Sequence, residues 1–233
     1  AAGPQDRDRP NATTLALLEQ AVAQRVRRQP VSQITGRRAF WRHDFEVTPD
    51  VLDPRPDTET LVEAALSGSF ARLLDLGTGS GCIAISLLAE RAEARGVAVD
   101  LSEAALAVAR RNAERIGVAG RLDLIRSDWF GGVTEPFDLI VSNPPYIAAE
   151  EMPGLAPEVR EWEPRMALTD EGDGLAAYRL IAAGAGAHLV PGGRLMVEIG
   201  PSQGAAVAAL FAGAGLEEVQ VLPDLDGRDR VVA

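Results

Sequence analysis

Short apolar runs alternate with amphipathic segments along most of the chain, and the alternation is most regular after Ala71. The runs at 71–76, 96–100, 121–126 and 137–142 predict buried strands. The segments near 80–91 and 102–117 predict helices, with Ser102 as a natural N-cap. After a long irregular stretch come a helix near 174–188, the strand GRLMVEI, a helix from about Ser202, and two closing strands ending at RVV. Strands and helices in such succession predict an α/β fold: a doubly wound, mostly parallel, seven-stranded sheet with helices on both faces. A short turn joins the last two strands, so the sheet should carry an antiparallel edge.

The beginning follows another pattern. The stretch AAGPQDRDRPNA is polar and rich in breakers, and reads as a frayed end. Residues 13–29 place Leu15, Leu18, Ala21, Val22 and Val26 near one helical face, with Pro30 ending the helix. One amphipathic helix cannot bury its stripe alone. It either docks on the main domain or is the remnant of a larger helical unit, and the missing initiator methionine fits a truncation. Next, RAFWRHDFEVTPD alternates as a short hairpin and PRPDTETLVEAAL is a turn entering a helix. The expected organisation is a helical segment over 1–35, a hairpin linker over 36–50 and the main domain over 51–233.

Composition narrows the function. With 233 residues, 46% of them hydrophobic, the chain can bury a sizeable core. No apolar run reaches the length of a membrane span and the first residues lack a signal-peptide layout, so the expected location is the cytoplasm, away from membranes. A single cysteine, Cys82, excludes an internal disulfide framework. With only His43 and His188 no cluster of soft metal ligands forms, and no metal is expected, although carboxylate-bound metal stays open. The net charge is -11 and every basic residue is arginine, which removes a lysine-dependent phosphate loop. Residues 1–47 hold eight arginines against five acids, which leaves the main domain strongly acidic. That is a poor match for a phosphate backbone, so nucleic acid is disfavoured as a direct partner.

Candidate chemistry lies at the strand ends. In ARLLDLGTGSGCIAI a buried strand runs into Gly77, Thr78, Gly79, Ser80 and Gly81 and then a helix. Glycines here permit positive φ and close approach of a ligand, and the helix start presents unpaired N–H groups. The spacing is G-x-G-x-G, which disfavours NAD and a dehydrogenase; alone it equally suits a tight strand-to-helix connection. Asp100 closes the next strand, where a carboxylate meets ribose hydroxyls. Asp128 and Trp129 end the third strand and could flank an adenine, although a tryptophan is more often core. Asn143 ends the fourth, followed by Pro144, Pro145 and Tyr146. In an open α/β sheet these scattered positions converge at the carboxyl ends of the strands.

The motifs DLGTGSG and NPPY, with an acid after the second strand, resemble the class I methyltransferases that use S-adenosylmethionine. The flanking PVSQITG, FEVTPDVLDPRPDTETLVE, SDWF, VSNPPYI, EPRMAL, VEIGPSQ and GRDRVV narrow the resemblance, from about Pro30 to the end, to the glutamine N5-methyltransferases of peptide-chain release factors. Gln33 and Asp53 depart from that pattern, standing where an aromatic and an aliphatic residue are usual, and the family's N-terminal helical bundle is reduced here to little more than one helix. The resemblance implies that Gly77 to Gly81 lie against the methionine part of the cofactor, Asp100 takes the ribose hydroxyls, and Trp129 adjoins the adenine, beside Asp128 from the strand-end reading. Asn143 would serve cofactor and substrate, and Pro144, Pro145 and Tyr146 would complete a slot for the glutamine. The Asn143 side-chain oxygen and the Pro144 carbonyl can accept the two amide N–H groups while Tyr146 stacks on the amide plane. The implied product is S-adenosylhomocysteine and the implied partners are class I release factors, met as a monomer.

A ribosomal-protein glutamine or a nucleic-acid exocyclic amine presents a similar NH2, and a cofactor-binding module without catalysis is a different class again. Arg55, Asp57 and Glu59 either line the mouth of the site or simply start a helix. Cys82 reads as a small buried residue and both histidines as structural or exposed. The acid-rich stretch from Glu150 to Asp173 is long for a structureless loop, which favours a substrate cover.

Overall fold

A computed structural model describes residues 11–233, so most of the stretch read as a frayed end lies outside the described residues. The chain opens with helix α1 (Ala12–Val26), capped by Asn11, whose side chain accepts from the Thr14 N–H at 2.8 Å. It stops three residues before the predicted end, because Arg28 takes a left-handed φ of 69°. Pro30 then starts a second short helix, α2 (Val31–Thr35), which periodicity did not indicate. The predicted stripe of α1 is not packed: Leu18 is 57% and Val26 76% exposed, so the helix does not dock on the main domain through that stripe. Polar contacts hold this segment instead. Arg25 and Arg28 pair with Glu158, Gln33 donates to the Trp162 carbonyl at 2.9 Å, and the Trp162 indole donates to the Arg27 carbonyl.

Strands β1 (Arg37–Phe40) and β2 (His43–Glu46) form the expected hairpin. Its Phe40 and Phe45 are buried in the same cluster as Leu61 of α3 (Glu59–Leu66) and Leu73. The main sheet has seven strands: β3 (Arg72–Leu76), β4 (Arg95–Asp100), β5 (Leu122–Arg126), β6 (Phe137–Ser142), β7 (Leu189–Glu198), β8 (Val221–Pro223) and β9 (Asp229–Val232). Their order is β5-β4-β3-β6-β7-β9-β8, with β3 to β7 parallel. The closing pair is antiparallel as expected, but the reversed strand β9 lies between β7 and β8 rather than at the edge.

Alternate residues point to opposite faces, and both faces are covered. Leu73, Leu139 and Val141 meet α4 (Cys82–Glu90) and the hairpin on one side. On the other, Leu74, Leu76, Ile140 and Val197 meet α7 (Ala176–His188) and α8 (Gly204–Gly213). Helix α5 (Glu103–Ile116) has the predicted cap, Ser102 Oγ accepting from the Ala105 N–H, and ends at Gly117 with φ 85°. The chain runs outward from β3 through β4 and β5, then returns to the other side of β3 as β6. That reversal places the crevice beyond the carboxyl ends of β3, β4 and β6.

Candidate active site

Gly77, Gly79 and Gly81 adopt φ of 71°, 55° and 82°, a region that L side chains enter at a cost, and the loop they form is pinned from below. The Gly77 and Thr78 N–H groups both donate to the Val99 carbonyl at 2.9 Å, and the Thr78 hydroxyl donates to Asp75 Oδ2 at 2.7 Å. A Cβ on Gly77 or Gly79 would meet nothing within 4 Å, so these two positions keep open space above the backbone. Gly81 differs. A Cβ there would stand 2.7 Å from Ile85 Cδ1 and 3.2 Å from the Ala109 Cβ, so it serves helix packing and does not line the cleft. Asp75, inside the quoted DLGTGSG motif yet not singled out by the sequence, is fully buried, and burial pushes its carboxyl up to about 7.

Asp100 closes β4 with both carboxylate oxygens engaged: Oδ2 accepts from the Gly79 N–H and Oδ1 from the Ser102 N–H, each at 2.9 Å. Each oxygen keeps a second lone pair for a ligand hydroxyl. Burial raises its pKa, opposed by those backbone donors. Beyond β5 the corner is built by Ser127, which stands inside the quoted SDWF motif but is not singled out there as a site residue. Its hydroxyl donates to the Trp129 carbonyl at 2.9 Å and accepts from the Gly132 N–H at 2.8 Å, fixing Trp129 at φ 49°. Asp128 is exposed at the rim and Trp129 half-buried.

A cleft of about 340 Å3 brings most of these residues together: Gly77, Thr78, Gly79, Ser80, Asp100, Asp128, Trp129, Asn143 and Pro145 all line it. Cys82 also lines it, with its thiol pushed by burial up to about 12, which leaves it unreactive. The acid-rich stretch is not structureless. It contains helix α6 (Pro157–Arg160) and short 3-10 turns, and its Pro164, Met166, Ala167, Thr169 and Asp170 form a cleft wall.

A second cleft of about 210 Å3 adjoins the first and is lined by Asn143, Tyr146, Leu155, Val159 and Glu198. Asn143 faces both, as do Leu52, Arg55 and Ala167. The Asn143 Nδ2 donates to Thr58 Oγ1 at 3.3 Å, whereas its Oδ1 is buried without a partner. This oxygen faces the clefts with its acceptor capacity free for a donor that enters them. Pro144 is buried and lines neither cleft, and burial raises the Tyr146 phenol, so it stays protonated. The Tyr146 carbonyl is held by Gln203 Nε2 at 2.9 Å.

The three charged residues of PRPDTE divide. Arg55 reaches the clefts and binds Glu163 at 2.6 and 2.9 Å; Glu163 is buried, and burial pushes its pKa up to about 7 despite that partner. Asp57 pairs with buried Arg230 of GRDRVV at 3.0 Å, and Glu59 accepts from the Trp41 N–H at 2.8 Å, so both are structural. His43 lies in the hairpin, and His188 stacks on Phe130 with centroids 4.5 Å apart. Glu163, Glu198 and Thr58 escaped the sequence reading, although VEIG places an acid at the end of an apolar strand and so carries a faint signal.

A seven-stranded sheet of this order, with a glycine cradle at the switch point and an acid after the next strand, is that of an S-adenosylmethionine-dependent methyltransferase. The family Methyltransferase small domain matches residues 52–158. A methyltransferase structure from Pyrococcus furiosus shares the fold, with a TM-score of 0.63 over 95% of this chain and 96% of that one at 20% identity. The release factor glutamine methyltransferase of Cereibacter sphaeroides is 65% identical over 94% of this chain and 78% of its own length. That of Caulobacter vibrioides is 47% identical over 95% and 78%. This chain belongs to the release factor glutamine methyltransferase family.

Proposed function

We propose that this chain transfers a methyl group from S-adenosylmethionine to the side-chain amide nitrogen of the glutamine in the Gly-Gly-Gln motif of class I peptide-chain release factors. The observation that carries the reading is the Asn143 Oδ1, buried without a partner in the wall shared by two clefts. An acceptor in that position suits an N–H donor that arrives with the substrate, such as the NH2 of a carboxamide.

The larger cleft fits the cofactor. The open glycines Gly77 and Gly79, with Thr78 and Ser80, would hold its methionine part, Asp100 its ribose hydroxyls, and Asp128 and Trp129 its adenine. When bound, the cofactor supplies a methyl group already activated on a sulfonium. A carboxamide nitrogen is a weak nucleophile because its lone pair is delocalised, so the protein contributes orientation, which can supply roughly 7 to 11 kcal/mol. Asn143 Oδ1 and the Pro144 carbonyl would accept the two amide hydrogens, drawing electron density onto nitrogen, while Tyr146 and Pro145 cover the amide plane and exclude water. As the amide nitrogen would bond to the methyl carbon, the methyl–sulfur bond would break, leaving S-adenosylhomocysteine, and the now acidic nitrogen would lose one proton to solvent.

The reading includes a division of labour in which residues 51–233 carry the chemistry, the 1–35 segment is the remnant of a partner-recognition domain and the 36–50 hairpin links the two, with the protein working as a cytoplasmic monomer. No helix among the described residues is long and apolar enough to cross a membrane. The net charge of -11 weighs against a nucleic-acid substrate. The test is peptide mass spectrometry of purified release factor after incubation with this protein and S-adenosylmethionine. A single methyl increment on the Gly-Gly-Gln glutamine is expected; an unmodified release factor beside a methylated ribosomal protein or RNA would overturn the substrate assignment.

A further inference from the structure

Behind Asn143 lies a buried pair that the reaction as described does not use. Thr58 accepts from Asn143 Nδ2 at 3.3 Å, and its hydroxyl is also within hydrogen-bonding reach of the Glu198 carboxylate at the end of β7. Glu198 is 1% exposed, lines the second cleft, and has its Oε2 buried without a partner.

We propose that Glu198, acting through Thr58, is a positioning residue that decides which end of the Asn143 side-chain amide faces the substrate. The argument is one of proton direction. A side-chain amide presents an acceptor at one end and a donor at the other, and the two ends are nearly the same size. An ionised carboxylate only accepts, so the single hydroxyl proton of Thr58 goes to Glu198. Thr58 can then only accept from its other neighbour. That neighbour is Asn143, which must offer Nδ2 and leave Oδ1 toward the clefts. With Glu198 protonated the chain can reverse: the carboxyl donates to Thr58, Thr58 donates to Asn143, and the donor end turns to meet an NH2 that needs an acceptor.

This inference rests on the proposed reaction for its consequence, but not for its geometry. Burial pushes Glu198 up to about 7, opposed by the Thr58 hydroxyl and by the charges of Arg230 on β9 and Arg55, and reinforced by Asp57. Tyr146 from the corner and Tyr178 on α7 also face it, and the Tyr178 hydroxyl donates to the Glu198 backbone carbonyl at 2.8 Å. The ionised, competent form therefore dominates above about 7 and is lost as pH falls through that value.

Two readouts test it on the intact protein. First, kcat for release-factor methylation is followed from pH 5.5 to 9 for wild type, Glu198→Gln, Thr58→Val and Thr58→Ser. The wild type should lose rate below about 7. Glu198→Gln should lose that pH limb and roughly tenfold in kcat, as removal of an orienting partner commonly does. Thr58→Val should fall by a similar factor at unchanged cofactor affinity, and Thr58→Ser should restore it. Second, the Asn143 side-chain amide signals are titrated by NMR without substrate, and should move with an inflection near 7 that Glu198→Gln abolishes. Wild-type kcat and pH limb retained in Glu198→Gln, or an Asn143 signal indifferent to pH, would overturn the relay. An inflection in a protein that leaves release factor unmethylated would uphold the relay and remove the substrate reading instead.

Discussion

The two halves of the site solve opposite problems. At the cofactor end the groups that shape the loop are engaged within the protein before any ligand arrives: Asp100 holds two backbone N–H groups, Asp75 Oδ2 holds the Thr78 hydroxyl, and Ser127 closes the Trp129 corner, although Asp75 Oδ1 and Asp53 Oδ1 are buried without a partner. At the substrate end, Asn143 Oδ1 and Glu198 Oε2 are buried with no partner. The first half is therefore rigid and shaped in advance. The second retains unsatisfied acceptors, each of which costs about 1 to 3 kcal/mol of desolvation until a donor meets it. A site that stores this cost beside a preformed cradle rewards one kind of substrate group, a donor-rich planar nitrogen.

The contrast breaks most visibly at Asn143. Asn143→Ala removes the free acceptor and should lower kcat by about 10² to 10³, the scale seen when one preorganised hydrogen-bonding group is lost, as steady-state methylation would show. Asp100→Ala acts on the other half. It takes a charged acceptor from the ligand and from the loop, so calorimetry should find cofactor affinity lowered about tenfold to a hundredfold, or 1.5 to 3 kcal/mol. Gly79→Ala adds a methyl group that meets nothing within 4 Å, so its cost is backbone strain at φ 55°, about 1 to 2 kcal/mol in unfolding free energy. Changes on the exposed stripe of α1 should do least. Leu18→Ser with Val22→Ser should leave the denaturation midpoint within about 0.5 kcal/mol of wild type, since neither side chain is packed.

Much of the cofactor half could be read from the chain because its parts are local. Gly77 to Gly81 follow a strand directly, Ser102 caps the helix after Asp100, and the period of two in β3 and β6 brings these ends together. The substrate half could be read only as a motif. What completes it comes from afar: Thr58 is 85 residues from Asn143, and Arg55 meets Glu163 across 108. Neither distance leaves a periodic trace. The start of the chain left two readings open, a docked helix or the remnant of a larger helical unit, for a related reason. The stripe of α1 has the period of a docked helix, yet the segment is tied down by Glu158 and Trp162, and Gln33, where an aromatic would be usual, supplies one of those polar ties. Periodicity records what a helix can bury, and a partner decides whether it does.

The most direct test of this division is to titrate S-adenosylmethionine into Asn143→Ala and into wild type by calorimetry, and to assay the same samples for release-factor methylation. Cofactor affinity within a few-fold of wild type, together with the loss of methylation, is the predicted result. Parallel loss of binding and methylation would contradict the account, because Asn143 would then belong to the preformed cradle and not to the half that waits for substrate.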